Sequence, residues 1–135
     1  MTLTLDAKVE NLDKVLAFTE EQLEMAGCPM KVQMQIAVAV EEVFVNIANY
    51  AYGDGEGQAV IDLEILEEPK TAVFTFRDKG VAFDPLAKQD PDTTLSAEER
   101  QIGGLGIYIV KKTMDEVTYQ RVGDENVLRV KKKIQ

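Results

Sequence analysis

Apolar and polar residues alternate through TLTLDAK at the start of the chain, which predicts a short first strand. The period then lengthens. Val9, Leu12, Leu16, Thr19 and Leu23 fall on one helical face, and Gly27 with Pro29 ends that helix. A second helix is predicted from about Lys31 to Tyr52, with Val32, Ile36, Val40, Val43, Phe44 and Ile47 as its apolar set. Gly53, Gly55 and Gly57 break the chain after it. Strict alternation returns with Ala59, Ile61, Leu63 and Ile65 against Asp62 and Glu64. A turn around Glu67-Glu68-Pro69-Lys70 leads into Ala72, Phe74 and Phe76, so the two runs form a hairpin ending near Asp78.

From Asp84 to Arg100 no period is sustained, and Asp, Pro and Thr are frequent. The segment reads as a long loop, of a length that is usually functional in a compact domain. Ser96-Ala97-Glu98-Glu99 fits a capping box that would close the loop with a helical turn. Gly103-Gly104-Leu105-Gly106 then opens a third helix, expected to run to about Met114. Val117–Val122 and Val127–Val130 form a last hairpin, turning through Gly123-Asp124-Glu125-Asn126. No repeat or interdomain linker interrupts residues 1–135, which predicts one domain. The fold class is α+β: a two-layer sandwich with a mixed, largely antiparallel sheet and three helices on one face.

Composition narrows the chemistry. The formal charge is −9, from 24 acidic and 15 basic residues, which disfavours nonspecific nucleic-acid binding. No Lys or Arg lies between Lys31 and Lys70. The chain has no His, so histidine general-base chemistry and a phosphohistidine are excluded. A metal would rest on oxygen ligands, which suit magnesium rather than zinc. Cys28 is the only cysteine. No apolar run reaches membrane-spanning length, and MTLTLDAKVE is not a signal peptide, so the expected setting is the cytoplasm with no membrane contact.

Three clusters carry candidate chemistry. Glu42, Asn46 and Asn49 share one face of the second helix, at i, i+4 and i+7. A carboxylate there can act as a base, and an amide oxygen one turn away can hold a hard cation. Alone, the stripe also fits a solvated helix face. Asp78 ends a strand and can accept a hydrogen bond from an exocyclic amine, while Gly80 would let a flat base approach. Alone, Asp78-Lys79-Gly80 also fits an ordinary turn. Gly103, Gly104 and Gly106 at a helix start can present backbone N–H groups to phosphate. The intervening loop suits a lid over a nucleotide. Arg100 at its end either meets a terminal phosphate or pairs with Glu98 or Glu99. Tyr108, Met114 and Tyr119 read as core or interface residues.

In this order and spacing, the clusters resemble the boxes of the GHKL (Bergerat-fold) ATPase superfamily, over about Ile36 to Lys133. The match is similar above all to anti-sigma factor serine kinases of the RsbW and SpoIIAB type. Glu42-Val43-Phe44-Val45-Asn46, running into Tyr50-Ala51-Tyr52, resembles their N-box. Asp78 to Pro85, with Gly80 and Phe83, resembles the adenine-recognition box. Arg100 and Gly103-Gly104-Leu105-Gly106 resemble the lid end and the second glycine box, with the lid at about 84–102.

The resemblance implies ATP and magnesium as cofactors. It implies Glu42 as general base, Asn46 as magnesium ligand, Asp78 as reader of the adenine amine, and Arg100 beside the terminal phosphate. It places Asn49, Gly80, Phe83, Gly103, Gly104, Leu105 and Gly106 around the nucleotide. It further implies phosphotransfer to a serine of an anti-anti-sigma (STAS-type) protein, sequestration of a sigma factor, and a homodimer. Two positions depart from the pattern. Tyr50 stands where His is frequent, and Asn126-Val127 stands where a Gly-Thr pair is frequent. The Gly-Thr hydroxyl that the family places near adenine has no counterpart at Asn126-Val127. The alternatives are a nucleotide-gated binding module with little phosphotransfer, and the catalytic half of a histidine kinase.

Overall fold

A computed structural model describes residues 1–53, 55–87 and 104–134. The elements run β1 (Thr2–Asp6), α1 (Leu12–Met25), α2 (Met30–Tyr50), β2 (Gln58–Leu66), β3 (Thr71–Asp78), α3 (Gly104–Thr113), β4 (Glu116–Val122) and β5 (Glu125–Lys133). Short 3-10 turns occupy Val9–Asn11 and Pro85–Ala87. The latter sits in the segment expected to be an irregular loop. The rest of that loop, with its capping box, lies outside the described residues.

α1 begins later than its periodicity predicts, and its buried line is Val15, Thr19 and Leu23. Val9 falls in the 3-10 turn and is exposed. The end of α1 is set by Gly27, whose φ of +75° suits a residue with no Cβ. Gly27 N–H reaches Glu24 C=O at 3.0 Å, and Cys28 N–H reaches Leu23 C=O at 3.0 Å, the paired bonds of a Schellman cap. α2 follows directly from Pro29 and buries Ile36, Ala39, Val40, Val43, Phe44 and Ile47, much as its periodicity predicts.

The sheet order is β1-β2-β3-β5-β4. All four pairings are antiparallel, so the expected mixture reduces to its antiparallel part. Residues opposite one another on paired strands share a face, and the register therefore lays the inner face out in rows. Leu63, Phe74, Val130 and Val117 form one row. Leu3, Ile61, Phe76, Leu128 and Tyr119 form the next. The following row, Leu5, Ala59, Asp78, Asn126 and Arg121, starts apolar and turns polar. One hydrophobic cluster joins the apolar rows to Val15 and Leu23 of α1, the inner face of α2, and Val110 of α3. All three helices thus cover this face. Asp62, Arg77, Arg129 and Lys131 belong to the other face.

The β4–β5 turn is tighter than expected. Only Gly123 and Asp124 lie outside the strands. Gly123 has φ +60° while Asp124 does not have a positive φ, which is the pattern of a two-residue hairpin loop led by glycine. Glu125 and Asn126, expected in the turn, are therefore strand residues. Among the described residues, no helix is long and apolar enough to cross a membrane.

The C-terminal end of α2 packs on the turn after β3. The Ala51 carbonyl accepts the Val81 N–H at 2.7 Å. A Cβ on Gly80 would overlap the Ala51 carbonyl group, which is backbone and cannot swing aside. Gly80→Ala is therefore predicted to cost about 1–3 kcal/mol, the usual penalty for forcing extra volume into a packed contact. Urea unfolding of the purified variant checks this, and an unchanged midpoint would refute it.

Candidate functional site

Where the inner face turns polar, an open cleft lies between α2 and the sheet. Asn46, Ile47 and Tyr50 of α2, Asp78 and Asn126 of the sheet, and Val81 and Phe83 after β3 all line it. The lining is mostly apolar with a few polar groups, as small-molecule sites usually are.

Asp78 is the buried charge of this cleft, 6% exposed. Its Oδ1 accepts the Gly80 N–H at 3.0 Å and the Asn126 side-chain N–H at 2.9 Å. Its Oδ2 accepts no hydrogen bond from the described residues. A buried carboxylate oxygen without a donor is costly. A ligand donor in the cleft would relieve that cost. This fits the exocyclic amine that Asp78 was expected to read.

Glu42 and Asn46 project from the half-buried side of α2, one turn apart. Neither side chain makes a hydrogen bond or ion pair among the described residues. Burial pushes the Glu42 carboxyl above the ordinary glutamate value of 4.5, and the neighbouring Glu41 carboxylate adds to the shift. Gly106 in α3 lies directly against it, since a Cβ there would overlap Glu42 Oε2. The expected carboxylate and the second glycine box are thus in contact. From Ala51, at the Gly80 end, to Glu42, at the Gly106 end, α2 climbs roughly 13 Å.

The other expected residues divide. Phe83 lines the cleft, and Gly80 borders it through Ala51. Gly104 and Leu105 lie in the first turn of α3. Asn49 is exposed and does not line the cleft, because at about 100° per residue it lies beyond Asn46 on the side of the helix away from Val43 and Tyr50. Arg100, Gly103 and most of the expected lid lie outside the described residues. Two cleft residues were not singled out from sequence. Asn126 was assigned to a turn, and Tyr119 to the core or an interface. Tyr119 lines the cleft, and its hydroxyl bonds Asn126 Oδ1. Treating Gly123-Asp124 as a two-residue hairpin loop would have put Asn126 in a strand opposite Arg121, but its place beside Asp78 comes from the β3–β5 register.

A profile of the histidine kinase-like ATPase domain matches residues 5–132. The chain belongs to this family. Among curated relatives, the serine-protein kinase RsbW of Listeria monocytogenes is 26% identical over 122 residues, 87% of this chain and 76% of that protein. The RsbW of Bacillus pumilus is 34% identical over 92 residues, 63% and 56% of the two chains. The serine/threonine-protein kinase BtrW of Bordetella bronchiseptica is 25% identical over 91 residues, 67% of this chain and 63% of its own length. The match to BtrW thus falls short of two thirds of that protein. The solved RsbU and RsbW domains of a Mycobacterium tuberculosis protein share the fold, with a TM-score of 0.64 at 14% identity. That superposition covers 99% of this chain and 32% of the other. The α+β architecture expected of the superfamily is therefore the architecture observed.

The raised Glu42 carboxyl has a consequence for stability. The folded state binds this proton more tightly than the unfolded chain. Stability is therefore lost as pH rises from 4.5 through the raised value. Glu42→Gln removes the titration. The variant is predicted to melt at a higher temperature than the parent at neutral pH, with the gap closing below pH 4.5. Melting curves across that range check it, and a gap that widens in acid would contradict it.

Proposed function

We propose that this chain is an ATP-dependent serine/threonine kinase that phosphorylates a serine of a small anti-anti-sigma (STAS-type) protein and sequesters a sigma factor. One observation carries the proposal. Asn46 lines the cleft that also holds the Asp78 carboxylate, Glu42 stands one turn before Asn46 on α2 against Gly106, and none of Asp78 Oδ2, Glu42 and Asn46 has a side-chain partner among the described residues. The names of the kinase relatives support the reaction type.

The residues fit a nucleotide with a hard cation. Asp78 Oδ2 offers an acceptor for the adenine amine, and Ile47, Val81 and Phe83 offer apolar surface for the ring. Asn46 would give its amide oxygen to magnesium, the oxygen chemistry that this cation prefers. Magnesium, when bound, would neutralise charge on the phosphates. Glu42 then accepts the proton of the attacking serine hydroxyl, and its burial raises its affinity for that proton. Arg100 is proposed to steady the terminal phosphate. A module that only bound a partner would have no use for a half-buried, unpaired carboxylate at this point.

Glu42→Gln is predicted to keep ATP affinity while phosphotransfer falls by about 10²–10⁴-fold, the usual contribution of a positioned base. Asn46→Ala is predicted to weaken magnesium and nucleotide binding together. Labelled ATP, magnesium and the candidate small partner proteins of the same genome provide the assay, with calorimetry for binding. Wild-type rates in Glu42→Gln would remove Glu42 from the chemistry. A wild type that grips a sigma factor yet phosphorylates no partner would make this a nucleotide-gated binding module.

A homodimer is also proposed. β1 is an edge of the sheet, so its outer backbone groups have no strand partner among the described residues. Light scattering at micromolar concentration is expected to give twice the chain mass of 15.0 kDa, and a monomer would refute it.

A further inference from the structure

Asn126 is 7% exposed and makes four hydrogen bonds through one side-chain amide. Its Nδ2 donates to Asp78 Oδ1 at 2.9 Å and to the Val81 carbonyl at 2.8 Å. Its Oδ1 accepts the Phe83 N–H at 3.3 Å and the Tyr119 hydroxyl. An asparagine amide has two N–H donors and two acceptor lone pairs. All four are spent on the protein. The partners also fix which end is nitrogen, since a carboxylate and a carbonyl can only accept while a backbone N–H can only donate.

A saturated side chain has nothing left for a ligand, so Asn126 does not itself contact a base through a hydrogen bond. Its effect passes through its partners. The bond to Asp78 occupies Oδ1 together with the Gly80 N–H, which leaves Oδ2 as the oxygen with free acceptor capacity. The bonds to Val81 and Phe83 hold the 81–83 wall of the cleft at a fixed distance from that oxygen. Arg121, opposite Asn126 on β4, reinforces the same segment by donating from Nη1 to the Gly80 carbonyl at 2.9 Å.

We propose that Asn126 is a specificity-determining positioning residue. It fixes one oxygen of Asp78 and the 81–83 wall, so that the other oxygen reads a purine 6-amino group. The inference rests on the proposed role of Asp78 and adds to it a residue on another strand. Discrimination between purines would be set by the Asp78–Asn126 pair rather than by Asp78 alone.

The test compares ATP with purine riboside triphosphate, which is ATP without the 6-amino group. Wild type is expected to prefer ATP by about tenfold or more, as one charge-assisted hydrogen bond allows. In Asn126→Ala the ATP affinity is expected to fall about tenfold. The affinity for the analogue is expected to move less than about twofold, so the preference collapses. A merely structural loss would weaken both nucleotides alike and leave the ratio intact. Asn126→Asp keeps the shape of the side chain but sets a carboxylate against Asp78, and it is expected to abolish the preference at neutral pH. Melting curves identify the folded variants, and Asn126→Asp carries the test if Asn126→Ala does not fold. A wild type without preference would overturn the adenine role of Asp78 and this inference with it. A wild-type preference that survives in the folded variants would overturn the role of Asn126 alone.

Discussion

The contact between the end of α2 and the turn after β3 is the constraint on which the site depends. The Ala51 carbonyl presses on Gly80 and takes the Val81 N–H. Only a residue without a Cβ permits that approach. Its consequence is geometric. α2 carries Glu42 and Asn46, β3 carries Asp78, and pinning one to the other fixes where the three polar groups stand. A second close contact, Gly106 against Glu42, pins α3 to the middle of the same helix. α2 is thus held at both ends of its polar stretch by glycines that bring neighbouring backbone close. Ile36, Val40 and Phe44 hold its inner face on the sheet.

The cleft opens where the apolar rows of the sheet stop. Inner-face rows led by Phe74 and Phe76 fill the space under the helices. In the next row Asp78, Asn126 and Arg121 replace them, and polar side chains need partners rather than packing. Asn126 and Asp78 satisfy one another in part, and Arg121 ties down the Gly80 carbonyl. Among the described residues, one oxygen of Asp78 and the side chains of Glu42 and Asn46 are left without a protein partner. Polar capacity left over inside an otherwise well-packed fold is where local consistency is most often given up for function.

Much of the fold follows from sequence by itself. The 3.6-residue period of Ile36, Val40, Val43, Phe44 and Ile47 determined α2 and its buried face. The two-residue period from Ala59 to Phe76 determined the β2–β3 hairpin, because successive strand side chains point to opposite faces. The Glu42–Asn46 spacing determined that both groups share a helix face, since that is local geometry. Tertiary structure decided the rest. It kept Thr19 and Leu23 on the buried line of α1 but put Val15 there in place of Leu16, and left Val9 in a 3-10 turn before the helix. It shortened the last hairpin turn to Gly123 and Asp124, and the β3–β5 register put Asn126 opposite Asp78, 48 residues away in sequence. It left Asn49 outside the cleft, for only the packing of α2 selects which part of a polar stripe faces the sheet. Periodicity records which face of an element is buried, because burial acts on each residue separately. Pairing across strands records nothing locally, because it depends on register, and register is settled only when the whole sheet closes on its core.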